Sequence, residues 1–539
     1  MLELRDYQRR SLDALQASWD RDGGDGLVVL PTGAGKALVI AALVAETLAR
    51  RPEARIAVVT HSRELIAQNH AELTRFWPEA PAGIYSAGLA RREADAQVLV
   101  CGVQSVWNKL DAIGPRDLVV VDEAHLIPRA ADTRYGRLLA GLRASRPDMR
   151  VAGFTATPYR LDSGRLDEGP GRLFSGIVYE ANVGDLIHHG YLSPLVCKAT
   201  LTALDVADVP RRGGDYVPGL LEAAVNTAAI TEAAVAEMVA YGAERRAWLA
   251  FCAGVAHAAA VRDAVRDHGI SCETVTGETD RRERGRIVAA FRAGRIRCLT
   301  SVGVLATGFN VPEVDLIALL RPTQSTGLYV QQVGRALRRA PGKRDALVLD
   351  YAGLVRMHGP VDIVTARTAA AVRGREDEVR AKPCPGCGAL IALNASTCEA
   401  CWVEPETGDE PPHEAEAEDA LPILSDQLAP ELRPVWHPVP DWRFEPARPG
   451  LDIVFACPDG AVRVRLHPEE RGYLRQKAVQ WWRGLGGGAD APMTVAEVLE
   501  RRDELTRPSA VRVQRSRSAE QVECRLPDGR SFTDVRRAG

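Results

Sequence analysis

Short β-branched, apolar runs recur along this chain with longer amphipathic stretches between them. That alternation limits the fold more than any other feature. GLVVL (26–30), RIAVVT (55–60), QVLVCG (97–102), DLVVVDE (117–123) and RVAGFTATP (150–158) each read as a buried strand. After a gap the rhythm resumes with AWLAFCAG (247–254), IRCLTSVG (296–303), VDLIALLRP (314–322) and DALVLDYAG (345–353). Buried strands alternating with helices imply parallel sheets covered on both faces. The irregular GGDYVP at 213–218 divides the two runs. The pattern predicts an α/β chain with two parallel-sheet domains in tandem, at 1–185 and 219–370, joined by a connector at 186–218. Beyond about residue 370 the rhythm stops. VEPETGDEPPHEAEAEDA (403–420) is acidic and free of Lys and Arg, which predicts a linker at 405–432. The remainder, 433–539, mixes tryptophans with short elements and predicts a small α+β accessory domain.

The length of 539 residues suits several domains of ~100–200 residues each. A composition of 46% hydrophobic and 26% charged residues is that of a globular protein. No uncharged apolar run reaches the ~18 residues of a membrane span, and the polar start MLELRDYQRRSLDAL lacks the apolar stretch of a secretory signal. Five cysteines scattered over the first 300 residues and four paired at 384–401 suit a reducing compartment. A cytoplasmic protein without membrane contact is expected. The net charge of −3 gives no bulk attraction to nucleic acid but leaves room for a local basic groove. Only six of the 68 basic residues are lysines, so isolated arginines carry little weight.

In VVLPTGAGKALVIAAL (28–43) a strand, a Gly-rich turn and a helix follow one another. That order aims the turn's N–H groups and the helix N-terminus at an anion, with Lys36 reaching the β- and γ-phosphates of ATP. Thr32, Gly33, Ala34, Gly35, Lys36 and Ala37 make up the predicted loop. The loop departs from its pattern at Ala37, where a Ser or Thr hydroxyl ordinarily ligates Mg²⁺. Mg²⁺ keeps several waters, so a water and Asp122 can make up the shell at some loss of affinity. In DLVVVDEAH the strand ends in two adjacent carboxylates. Asp122 is placed to hold Mg²⁺ and Glu123 to orient or deprotonate the attacking water.

PTGAGK, DEAH, GFTATP and QQVGRALR stand in the order and spacing of the superfamily 2 helicases and translocases, DEAD/DEAH type. LRDYQ, THSRELIAQNH, AGLARRE, VQSVWNKLDA, LIALLRPTQSTGLYVQQVGRALR and APGKRDALVLDYAG more closely resemble RadD-type DNA-repair helicases and related phage DEAD/DEAH helicases. The resemblance covers residues 2–360 and implies two RecA-like lobes with ATP and Mg²⁺ between them. Carried over by position, it implies that Arg5 and Gln8 read the adenine and that His125, Thr155 and Thr157 couple hydrolysis to movement of the second lobe. Gly308 and Asn310 match the motif in which many relatives carry Asp in place of Asn. Gln331, Arg335 and Arg338 close over ATP, the arginines as fingers on the transition-state charge. Ser62, Arg63, Gln104, Ser105, Thr276, Gly277, Arg284 and Thr307 match positions that face a nucleic-acid strand, contacting phosphates rather than bases.

Cys384-x₂-Cys387 and Cys398-x₂-Cys401 have zinc-ribbon spacing, which predicts a closed, structural Cys₄ zinc site in a ribbon at 380–404. Trp436, Trp442, Trp481 and Trp482 suit either the core of a small domain or a platform for unpaired bases. Residues 501–539 carry ten arginines against six acids, and GYLRQKAVQWWRGLGG faintly resembles the tails of phage-associated helicases. The expected protein is an ATP-dependent DNA helicase or translocase acting on single-stranded or forked DNA, with RNA as an open alternative. Repair, replication or nuclease proteins are its expected partners. Two other readings stay open: an ATP-gated clamp that does not hydrolyse, because of Ala37, and the motor subunit of a restriction or defence complex.

Overall fold

A computed structural model of the chain describes residues 3–21, 24–130, 132–160, 164–168, 171–198, 200–305, 311–362, 381–384, 389–392, 403, 423–424, 436–458, 460–470, 473–488, 490–516, 519–528 and 531–537. It divides into two compact units, one formed by nearly all of residues 1–432 and the other by 433–539 with the short stretches Asp13–Ala17 and Ile177–Glu180.

The first lobe of the larger unit is built on strands β1 (Gly26–Val29), β2 (Ile56–Thr60), β3 (Ala82–Ser86), β4 (Arg91–Arg92), β5 (Val98–Gly102), β6 (Leu118–Asp122) and β7 (Arg150–Thr155). They occupy seven successive positions of an eight-stranded sheet in the order β1-β7-β6-β2-β5-β3-β4. β1 to β3 and β5 to β7 pair in parallel, and β4 turns back antiparallel on β3. Because Val29 pairs with Thr155, Asp122 with Phe154 and Val59 with Val121, the carboxyl ends of β1, β2, β6 and β7 lie side by side. Ligands of open α/β sheets bind at such an edge. Helix Lys36–Arg50 follows β1; its run of Ala, Leu and Val favours a helix, and it buries Val39, Ile40, Leu43, Val44 and Leu48.

The second lobe has six strands, all parallel, side by side in the order Leu195–Lys198, Ala346–Asp350, Leu316–Leu320, Trp248–Cys252, Cys298–Ser301 and Cys272–Val275. These are the mixed α/β, parallel-sheet domains of RecA type. The nine apolar runs all form strands. The runs did not mark 82–86, 195–198 or 272–275. The last two are sheet edges in which two of the four residues are only half-buried, so their apolar signal is diluted. The GGDYVP segment contains part of a hairpin, Arg211–Arg212 with Asp215–Tyr216. Asp215 accepts hydrogen bonds from Thr323 Oγ1 and Gln324 N, both at 2.8 Å.

Arg116, just before β6, is completely buried, and it forms no ion pair among the described residues. It donates instead to the carbonyls of Ile56, Ala94, Ala96, Gln97 and Ile113 at 2.6–3.3 Å. Burial pushes its pKa down to about 10. Arg116→Met, which takes one donor from each of those carbonyls, is expected to destabilise the fold by ~1–3 kcal/mol, read as a lower midpoint in urea unfolding.

In the smaller unit a three-stranded sheet (441–446, 451–457, 460–466) and a four-stranded sheet (437–438, 510–516, 519–525, 531–537) share a core with helix Tyr473–Gly484. Trp481 and Trp482 are buried, and Trp481 packs edge-on against Phe532 at 5.0 Å. Trp442 packs on Phe444 and Phe455, while the Trp436 ring lies 4.8 Å from the Arg512 guanidinium and 4.1 Å from that of Arg525. All four rings thus pack against neighbours within the domain. Among the described residues no helix is long and apolar enough to cross a membrane.

Candidate functional site

The loop after β1 turns through two left-handed glycines, Gly33 (φ 90°) and Gly35 (φ 78°), a region that favours glycine. Helix Asp6–Arg21 holds the loop in place: Tyr7 Oη and Gln8 Nε2 both donate to the Ala34 carbonyl, at 2.8 and 3.0 Å. Gln8 Oε1 accepts from Arg5 N at 3.0 Å, so both ends of its amide are engaged. The Arg5 guanidinium lies 5.1 Å from the Tyr191 ring, and Tyr7 stands 5.2 Å from the same ring. Tyr191 is thus a neighbour of the predicted base-reading residues that no sequence motif marked. Lys36 Nζ lies 3.7 Å from Glu123 Oε1, and Ala37 is half-buried in the first turn of its helix.

At the end of β6, Asp122 Oδ2 accepts from Asn69 Nδ2 at 2.8 Å and Oδ1 accepts from Glu123 N at 2.9 Å. Burial, with Glu123 beside it, lifts the Asp122 pKa to about 6. For Glu123 burial pulls upward too, but Lys36, His125 and Arg335 outweigh it and hold the carboxyl below its ordinary range. Glu123 takes a left-handed backbone (φ 55°), a strained conformation for a non-glycine residue. Its Oε2 is buried without a hydrogen-bond partner. An orphaned carboxylate oxygen next to a buried carboxylate fits a site that takes a cation and a water.

His125 links three segments. Thr155 Oγ1 donates to the Thr157 carbonyl at 2.9 Å and accepts from Thr157 N at 3.1 Å. Its remaining lone pair takes a hydrogen from His125 Nδ1 at 2.9 Å, which leaves His125 Nε2 to accept from Gln331 Nε2, also at 2.9 Å. Burial pushes the His125 pKa down to about 4, so the ring is neutral and keeps this tautomer near pH 7. Gln331 lies on helix Thr326–Val333 of the second lobe, so the hydrogen bond joins the lobes.

The turn that follows this helix packs on the phosphate loop. A Cβ at Gly334 would lie 2.6 Å from Thr32 Cβ, and a Cβ at Gly33 would lie 3.1 Å from Arg338 Cγ. Arg335 is buried, and its Nε donates to the Gln331 carbonyl at 3.3 Å. Burial lowers the pKa of Arg335 to about 10 and that of Arg338 to about 9, both still charged at pH 7.

A family model for the res subunit of type III restriction enzymes matches residues 1–160, and one for the helicase conserved C-terminal domain matches residues 232–340. Residues 1–160 and 232–340 thus resemble the paired domains of superfamily 2 helicases. It is 28% identical over 391 residues to a Saccharomyces cerevisiae protein described as an ATP-dependent helicase, IRC3, covering 70% of this chain and 54% of that protein. It is 29% identical over 352 residues to the DNA 3'-5' helicase XPB of Kineococcus radiotolerans, covering 62% and 57%. The chain thus spans about half the length of these relatives. The fold is that of a fragment assigned as an HsdR subunit of a type I restriction enzyme from Vibrio vulnificus YJ016, with a TM-score of 0.50, 20% identity and coverage of 66% and 65%.

Within this helicase framework, the residues predicted to face nucleic acid fall into two groups. On the first lobe, Ser62 caps helix Arg63–Phe76 by accepting from Leu65 N at 3.2 Å, Ser105 Oγ accepts from Ala87 N at 3.0 Å, and Gln104 is exposed. On the second, Thr276 is buried, Gly277 is exposed, and Arg284 donates to the Thr276 carbonyl at 2.9 Å. The groups meet at Glu64, whose Oε1 lies 2.8 Å from Arg63 Nε and 3.8 Å from Arg284 Nη1. Thr307, Gly308 and Asn310 lie outside the described residues, as do Cys387, Cys398 and Cys401. Cys384 stands at the end of strand Ala381–Pro383, which pairs with Leu390–Ala392, and its N donates to the Ala389 carbonyl at 2.8 Å. No group of three or more His, Cys, Asp or Glu placed to hold a metal occurs among the described residues.

Asn69, inside THSRELIAQNH, is a site residue to which the motifs gave no role. The signal lay in its helix: Asn69 interrupts a buried stripe of Leu65, Ile66, Leu73 and Phe76. A polar residue on such a stripe needs a partner, and that partner is Asp122.

Proposed function

We propose that this chain is an ATP-dependent DNA helicase or translocase, in which ATP hydrolysis between the lobes drives movement on DNA or remodelling of a protein–DNA complex. DNA repair, recombination or phage replication is the proposed setting. The hydrogen bond from Gln331 to His125 carries this reading, because it ties the carboxylate strand of one lobe to the arginine-bearing segment of the other. A change at the phosphates then has a direct route to the second lobe.

Arg5, Gln8, the loop from Thr32 to Ala37, and the segment holding Gly308 and Asn310 would hold ATP. Asp122 would hold Mg²⁺, and bound Mg²⁺ neutralises charge on the phosphates. Lys36 lies 3.7 Å from Glu123. Drawn to the phosphates, it frees that carboxylate to orient and deprotonate the attacking water. Arg335 and Arg338 supply positive charge from the second lobe. Ser62, Arg63, Gln104, Ser105, Thr276, Gly277, Arg284 and Thr307 would line the path of the strand. The four cysteines, with Cys384 on a hairpin, would hold a structural zinc, and 433–539 would act as an accessory domain.

ATP turnover with and without single-stranded, forked and duplex DNA, and with RNA, across a Mg²⁺ titration tests this reading. DNA is expected to raise turnover. Ala37→Thr is expected to lower the Mg²⁺ needed for half-maximal rate roughly three- to tenfold, equivalent to about 1 kcal/mol for one recovered oxygen contact. A wild type with no turnover that Ala37→Thr rescues would replace the motor with an ATP-gated clamp.

A further inference from the structure

Lys343 lies five residues beyond Arg338, in the segment APGKRDALVLDYAG, at a position to which the helicase resemblance assigned no role. Its Nζ sits among three backbone carbonyls: Ala336 at 2.6 Å, Arg338 at 2.7 Å and Pro312 at 3.3 Å. An ammonium group has three hydrogens, and here each finds one acceptor. Burial pushes the Lys343 pKa down to about 7, opposed by the nearby carboxylates of Asp315, Asp345 and Glu313.

Helix Thr326–Val333 ends one turn before these carbonyls. The last carbonyls of a helix and of the turn beyond it lack partners within the helix and must find others. Three successive ones do so here. Leu337 O accepts from Ser193 N at 2.7 Å, and Lys343 takes Ala336 O and Arg338 O on either side of it. Lys343 thus supplies the donor for two of these three carbonyls, beside the local bonds from Arg335 N to Gln332 O and from Ala336 N to Val333 O and the Arg339 guanidinium on Gly190 O. The third acceptor, Pro312, stands 26 positions before Arg338, so the same ammonium also ties this turn to a second segment of the lobe.

We propose that Lys343 is a positioning residue for ATP hydrolysis, which fixes the turn bearing Arg335 and Arg338 through the carbonyls of Ala336, Arg338 and Pro312. This rests on the ATPase reading above for its catalytic consequence, but not for its structural one. Without the lysine the arginines remain, on a turn free to shift, and misplacement by about 1 Å costs ~10²-fold in rate.

The test compares wild type, Lys343→Met and Lys343→Arg in two ways. In hydrogen exchange on the nucleotide-free protein, Lys343→Met is expected to lower protection of residues 334–340 roughly tenfold while strands 248–252 and 316–320 keep theirs. In steady-state turnover it is expected to lower kcat ~10²-fold with KM for ATP within about threefold, because the ground-state contacts on the first lobe are untouched. Lys343→Arg, which keeps the charge, is expected to fall between the two in both measurements. Unchanged protection at 334–340 would overturn the proposal, as would an equal loss across the second lobe, which would make Lys343 a general stabiliser. A wild type without turnover would overturn the ATPase reading alone, and the exchange data would still decide the role of Lys343.

Discussion

Arg335→Ala is expected to lower kcat for ATP by ~10³-fold or more, the lower end of what an arginine finger contributes to phosphoryl transfer. Arg335 reaches the site from the second lobe, is buried, and its nearest negative charge of note is Glu123. Its charge comes near the phosphates only when the lobes meet, so it acts on the transition state more than on binding. ATP affinity, followed with a fluorescent analogue, is therefore expected to change little. Arg335→Lys is not expected to restore the rate, because an ammonium cannot reproduce the planar fork of the guanidinium. A loss of less than about tenfold in Arg335→Ala would remove the finger role and turn attention to Arg338.

Glu123→Gln is expected to lower kcat ~10²–10⁴-fold, the range for loss of a general base, with ATP still bound. The substitution keeps the size and shape of the side chain. It also removes one of two adjacent buried carboxylates, so repulsion with Asp122 falls. Against that stands the lost attraction to Lys36 at 3.7 Å. The melting temperature is expected to stay within a few degrees of wild type, which separates a chemical defect from a folding one. Full turnover in Glu123→Gln would show that another group activates the water.

These two residues differ in how they could be found. Glu123 stands in DEAH after a strand, and its neighbourhood follows from local order alone. Arg335 was found by motif, yet its nearness to Glu123, 212 positions away, exists only in three dimensions. Asn69 shows an intermediate case. Helical spacing placed it on an apolar stripe, but nothing in one dimension pointed that stripe at Asp122. Tyr191 carried no local signal, and Lys343, though inside a segment that resembles the family, had no role assigned to it, since an aromatic residue and a lysine in irregular segments have many commoner uses. The edge strands at 195–198 and 272–275 escaped for a related reason: a half-exposed strand does not need a continuous apolar run.

The linear chain was therefore enough for the α/β class, the tandem lobes, the phosphate loop and the paired carboxylates. Each depends on residues within one or two turns or strands of each other, where backbone geometry alone brings them together. Folding decided the rest. The His125 tautomer follows from Thr155 and Gln331, the close approach of Gly334 to Thr32 from the meeting of two lobes, and the hold on Arg335 and Arg338 from Lys343 and Ser193. Those contacts join residues far apart in the chain or in opposite lobes. A buried polar group takes whichever partner the packing supplies, and packing belongs to the whole fold.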